Sequence, residues 1–257
     1  MKKYLAFAKV SLIEQFKKLL DEFGTVFSFC VHITIFSFLW DFVLEGKELA
    51  GYTKQELIWY VIMAEAIMYS YHNCYKKVAY KVEMGDFAYD MTKPFNFLGR
   101  TIVEGLSELP MTFVLLVTGS ILGVIFTGLL PINAVQALLS LVVMLLASIM
   151  LLVIHIVIGL TSIWLGRDVS SVWLLCQKAM LIFAFTPIEL FPKAAQSVFL
   201  LLPTTHVIYT PSSLFVHFSP EKLVSASVYM LESFVFLAIA LWTIYKKGVK
   251  KQNVNGI

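Results

Sequence analysis

Charge is scarce in this chain: Asp, Glu, Lys and Arg make up 14% of its 257 residues, and the formal net charge is only +3. Soluble domains are about one quarter charged, so a soluble globular protein, a disordered chain and a nucleic-acid-binding domain are excluded. Glycine and proline are also few, at 13 and 8, which excludes collagen-like and low-complexity classes. The three cysteines, Cys30, Cys74 and Cys176, lie singly within apolar runs or at their ends. That pattern builds neither a disulfide framework nor a metal site. No G-x-x-x-x-G-K-[ST] phosphate loop, H-E-x-x-H pair or serine elbow occurs, so no catalytic, cofactor-binding or metal-ligating residue is nominated.

What the chain has in quantity is apolar side chains, 59% of residues, including 21 Phe and 11 Tyr. They fall in continuous runs rather than in the alternating ten-residue segments of a membrane barrel. The expected fold is therefore an all-α integral membrane protein. A span needs about 20 largely apolar residues, and six fit: 23–42, 57–75, 101–126, 134–165, 170–191 and 223–245. Pro110 should kink the third. Residues 1–22 place Leu5, Ala8, Leu12 and Leu19 near one helical face, with Lys9, Glu14, Lys17 and Lys18 mostly elsewhere. This is the pattern of an interfacial amphipathic helix rather than a cleaved signal. The segment 188–220 is apolar yet holds Pro192, Pro203, Pro211 and Pro220, which predicts a broken or re-entrant hairpin before the last span. Trp40, Trp59, Trp164 and Trp242 fall near span ends, as an aromatic belt would place them.

Lysine and arginine placement sets the orientation. Basic residues crowd residues 1–22, the 76–100 loop and the 246–257 tail, while the opposite loops carry only Lys47, Lys54, Lys193 and Lys222. Both termini and the 76–100 loop are expected on the cytoplasmic side.

Within that loop, Gly85-Asp86-Phe87-Ala88-Tyr89-Asp90-Met91-Thr92-Lys93-Pro94 predicts a short amphipathic helix. Phe87, Met91 and Ala88 share one face, with Asp86, Asp90 and Lys93 opposite. Such a helix can dock in a partner's groove or serve as a solvated connector. The segment resembles the coupling element of bacterial six-span permeases of the type-2 ATP-binding-cassette (ABC) exporter class, which carry Gly-x-aliphatic-x-Tyr-x-Leu-x-basic-Pro there. Phe87 and Met91 stand at the aliphatic and leucine positions. The stretch Thr186-Pro187-Ile188-Glu189-Leu190-Phe191-Pro192, with Pro203, Tyr209 and Pro211, resembles the same class's proline-rich segment.

The resemblance implies an exporter permease of the bacterial cytoplasmic membrane that binds no cofactor itself, ATP and Mg belonging to a separate ATPase subunit, present in two copies. A second permease subunit, identical or sister, would complete the pathway, with lipid around it and no nucleic acid. Met84, Gly85, Asp86, Phe87, Ala88, Tyr89, Asp90, Met91 and Pro94 would form the ATPase-coupling interface. Two other classes stay open: an ion-coupled secondary transporter and a non-transporting membrane scaffold.

Ionisable residues inside spans suggest function by default. Glu65 lies 11 residues from Lys76, His155 lies 12 from Arg167, and Lys178 lies 11 from Arg167. At ~1.5 Å per residue all three sit near one mid-membrane depth, as a Glu65–Lys178 pair or a polar central cavity would need. Glu104 and Glu108 share a face at i, i+4 near the cytoplasmic end. They could receive a cation, or pair with Arg100 and a basic residue of a partner.

Overall fold

A computed structural model of the chain describes residues 2–17, 23–71, 74–91, 93, 96–166 and 169–254. Among these residues every regular element is helical, and a β-bridge joins Leu49 to Tyr52. The first helix, α1 (Lys2–Lys17), precedes α2 (Phe23–Leu44). Then come α3 (Lys54–Met68), α4 (Cys74–Glu83), α5 (Asp86–Met91) and α6 (Phe97–Leu106). The longer α7 (Leu109–Thr127) and α8 (Ala134–Leu160) lead through a one-turn α9 (Ser162–Leu165) into α10 (Val169–Phe185). After a 3-10 turn at Ile188–Leu190 the chain ends with α11 (Lys193–Phe199), α12 (Pro203–Val216) and α13 (Pro220–Val254).

Among the described residues four helical runs are long and apolar enough to cross a membrane: Phe23–Leu44, Phe97–Thr127, Ala134–Leu165 and Pro220–Lys251. The pair α11 and α12, bent by 111°, makes five at most. The two remaining expected spans are shorter helices of 15 and 17 residues, α3 and α10. The second departs furthest from the sequence pattern. Its helix stops at Met68, where Ser70 Oγ donates to Ala66 O and Thr112 Oγ1 of α7 donates to Ser70 Oγ, both at 2.7 Å. These side-chain hydrogen bonds take up polar groups at the break, and α4 then leaves in a new segment.

Pro110 acts where expected. It lies in the first turn of α7, and the helical run breaks at Ser107 and Glu108 just before it. A ring without an N–H fits the first turn of a helix, and it can make no bond back to the Leu106 carbonyl, so the run from α6 is interrupted there. Pro192 and Pro203 likewise open α11 and α12.

The core forms around α3, whose residues 57–68 are all buried, packed between α2, α7, α10 and α12. The second tight seam joins α4 to α8. A Cβ on Gly159 would lie 2.5 Å from Val78 Cβ and 2.8 Å from the Tyr75 carbonyl, so only glycine lets the two backbones come so close. The expected aromatic belt is half present. Trp164 and Trp242 are exposed, whereas Trp40 and Trp59 are buried, and Trp59 Nε1 donates to Gly128 O at 3.3 Å. Those two join helices instead of meeting lipid.

Candidate functional site

The expected coupling segment folds as a corner. Gly85 has φ +79°, a left-handed conformation that costs glycine little, and it turns the chain from α4 into α5. The six-residue α5 is too short to stand alone, so tertiary contacts must hold it. Phe87 is fully buried, its ring edge-on to Phe97 at 4.8 Å and to Tyr245 of α13 at 6.1 Å between centroids. The side chain expected to enter a partner's groove thus anchors the helix to its own chain.

Asp90, expected on the polar outer face, is also buried, at 2% exposure. It accepts from Lys93 Nζ at 2.8 Å and from Arg100 Nη1 at 3.0 Å. Arg100 Nε donates in turn to Glu104 Oε1 at 2.6 Å, and its guanidinium lies 5.1 Å above the Phe7 ring of α1. Two further pairs cross from α4: Lys81 with Glu104 and Lys77 with Glu108. Pairs at i, i+4 on two helices meet in antiparallel register, and α5, α4, α6 and α1 are tied into one network. Left facing outward are Met84, Asp86 and Tyr89, with Ala88 half-buried. Pro94 lies outside the described residues, as does Arg167, and nothing is described of the Met91 side chain.

Glu104 and Glu108 therefore pair with Lys81 and Lys77 of the same chain, besides Arg100, rather than waiting for a partner's base. The signal was present in the sequence: Lys77 and Lys81 have the same four-residue spacing as Glu104 and Glu108.

The mid-depth residues separate. Glu65 is buried on α3, and the titratable side chain facing it is His32 of α2, whose Nδ1 is 3.7 Å from Oε2. Lys178 is exposed and forms no ion pair among the described residues, so the Glu65–Lys178 pair is not made. His155 is fully buried and packs on Trp173, Tyr75 and Tyr71, with ring centroids at 4.2, 5.8 and 6.2 Å. Glu65 instead lines a cleft of about 910 Å³ between α2, α3 and α10, which neither His155 nor Lys178 reaches. His32 had no sequence signal beyond being a polar residue in an apolar run.

At the opposite end, the proline-rich segment 188–220 is fastened by polar contacts. Tyr209 donates to Glu189 Oε1 at 2.6 Å. His217 Nε2 lies 3.2 Å from Glu56 Oε1, and the Tyr52 ring packs on His217 at 4.4 Å. Burial, with Glu189 nearby, pushes the Tyr52 hydroxyl well above its usual pKa, so it stays protonated. Among the described residues no cluster of His, Cys, Asp or Glu could hold a metal ion.

Apolar helices of this length, closed at one end by a charged corner, define a multi-pass membrane protein. Residues 29–256 match the family described as ABC-2 family transporter protein, and the chain belongs to that family. It is the membrane permease of an ABC-type transporter, a family whose members work with an ATPase and sit in lipid. No curated protein matches the chain in sequence.

Proposed function

We propose that the chain is one of two permease subunits, identical or sister, of an ABC exporter in a bacterial cytoplasmic membrane. It crosses six times, through α2, α3 with α4, α6 with α7, α8 with α9, α10, and α13, with α11 and α12 re-entrant between the last two. Both termini and α5 face the cytoplasm, and α1 lies along that surface. ATP and Mg bind to separate ATPase subunits, two per complex. The observation that supports this reading most is the fastening of α5. Phe87 ties it to α13, and the Asp90–Arg100–Glu104–Lys81 chain ties it to α4 and α6.

A push on the exposed Met84, Asp86 and Tyr89 would thus be shared by three spans at once. Movement of the ATPase subunits on binding ATP would then reach the membrane segments as a rigid-body motion rather than being lost in a loose loop. An ion-coupled transporter using Glu65, His155 and Lys178 as a relay is less well supported, because only Glu65 lines the cleft.

The test is purification in a detergent that preserves complexes, followed by mass identification. A stoichiometric ATPase is the expected companion, and a chain recovered alone would overturn the reading. Tyr89→Ala should weaken that association by about tenfold, as removal of an exposed aromatic anchor does, while insertion is unchanged.

A further inference from the structure

Glu65 is 1% exposed, and among the described residues neither of its carboxylate oxygens has a hydrogen-bond partner. The hydroxyl of Tyr71, buried beside the same cleft, also has none among the described residues. Buried polar groups are nearly always satisfied, and an uncompensated carboxylate away from water is among the costliest groups a protein can hold. Its neighbour His32 only partly answers the need. At 3.7 Å the contact is beyond hydrogen-bond distance, and His32 Nδ1 is already 2.7 Å from the Tyr69 hydroxyl.

The walls of the cleft show what is missing. Tyr69, Tyr71, Tyr75 and Trp173 line it, and aromatic faces attract cations, most strongly where water is excluded. At the cleft's rim the exposed Lys76 ammonium lies 5.8 Å from the centre of the neighbouring Tyr75 ring. Met68, Leu174 and Leu181 supply apolar lining. We infer that the cleft between α2, α3 and α10 is a binding site for a lipophilic organic cation, with Glu65 as counter-charge and Tyr71, Tyr75 and Trp173 as the aromatic wall.

The inference deepens the proposed transport role by naming a substrate class, and rests on that reading only for the cation being cargo. Binding itself needs no ATPase, so the two fail separately: a chain lacking its ATPase companion could still bind the cation. The experiment uses two probes of nearly equal size and opposite charge, tetraphenylphosphonium and tetraphenylborate, titrated onto the purified full chain in lipid nanodiscs. Saturable binding of the phosphonium, at least about tenfold tighter than the borate, is expected from an unmatched buried carboxylate. Equal affinity for the two ions would overturn the proposal.

Glu65→Gln should weaken phosphonium binding by about tenfold, and Trp173→Ala by about threefold, with the borate unaffected in both. Unchanged phosphonium affinity in Glu65→Gln overturns the assignment. Should that variant fail to fold, Trp173→Ala decides on the same criterion.

Discussion

Glu108 and Glu65 are hidden almost equally well, at 5% and 1% exposure, yet their surroundings differ. Glu108 is met by the ammonium of Lys77, one helix away, and Glu104 beside it by Lys81 and Arg100. Glu65 faces an open cleft with a histidine at the limit of ion pairing. The first region satisfies its charges within the chain and so fixes the positions of four helices. The second leaves a carboxyl group unmatched, which adds nothing to the folded state but leaves something for a ligand to complete. A buried pair contributes to uniqueness more than to stability, and removing one member leaves the other stranded.

The contrast can be broken by substitution, and the largest effect is expected at the corner's apolar anchor. Phe87→Ala empties a fully buried site between Phe97 and Tyr245 and should cost about 3 kcal/mol or more. Hydrogen exchange should show residues 84–91 opening while the long apolar helices stay protected. Persistent protection there would mean that the ionic network alone holds α5. Next comes Lys77→Met, which takes the ammonium away from Glu108. Because Lys77 is itself half-exposed, a loss of about 2 kcal/mol is expected, below the 3–5 kcal/mol of fully buried pairs. It would be read as lowered thermal stability in detergent. The smallest effect, and the one of different sign, belongs to Glu65→Gln. An amide replaces the unmatched carboxyl group at nearly the same volume, so stability should hold or rise by up to about 1 kcal/mol. A fall as large as that of Lys77→Met would erase the distinction between the two regions.

Much of this architecture is written in the sequence, because apolar runs and prolines act locally. The break before Pro110 and the divided 188–220 segment follow from backbone chemistry alone. The stop after Met68 does not, since no glycine or proline lies between Tyr69 and Tyr71. It depends on Thr112 reaching Ser70 across 42 residues of chain.

The sequence orders the candidate site residues along their helices but not around them. Distance along a helix can be counted, which brings Glu65, His155 and Lys178 to one level. Rotation about the axis cannot be read from a helix that is apolar nearly all round, and that is what turns Lys178 outward and His155 behind the aromatic wall. Phe87 poses the same difficulty on a smaller scale. Six residues of α5 contain too few turns for a pattern to say which face is inward. The partners of Glu104 and Glu108 were legible in principle, as matched spacings on neighbouring helices, though not as a pattern within either one.

The unequal helix lengths have a consequence for the surrounding lipid. At ~1.5 Å per residue, the 17 residues of α10 reach about 26 Å, short of the ~30 Å hydrocarbon layer. The 35 residues of α13 far exceed it. Leu174, Leu175 and Ile182 of α10 are exposed, so under the six-span reading lipid chains meet this short wall directly. A bilayer conforms to a short helix by thinning, at a fraction of a kcal/mol per Å. The perimeter of the permease would then be thinnest along the flank that carries the Glu65 cleft, and shortening the acyl chains of the host membrane should relax that flank before any other.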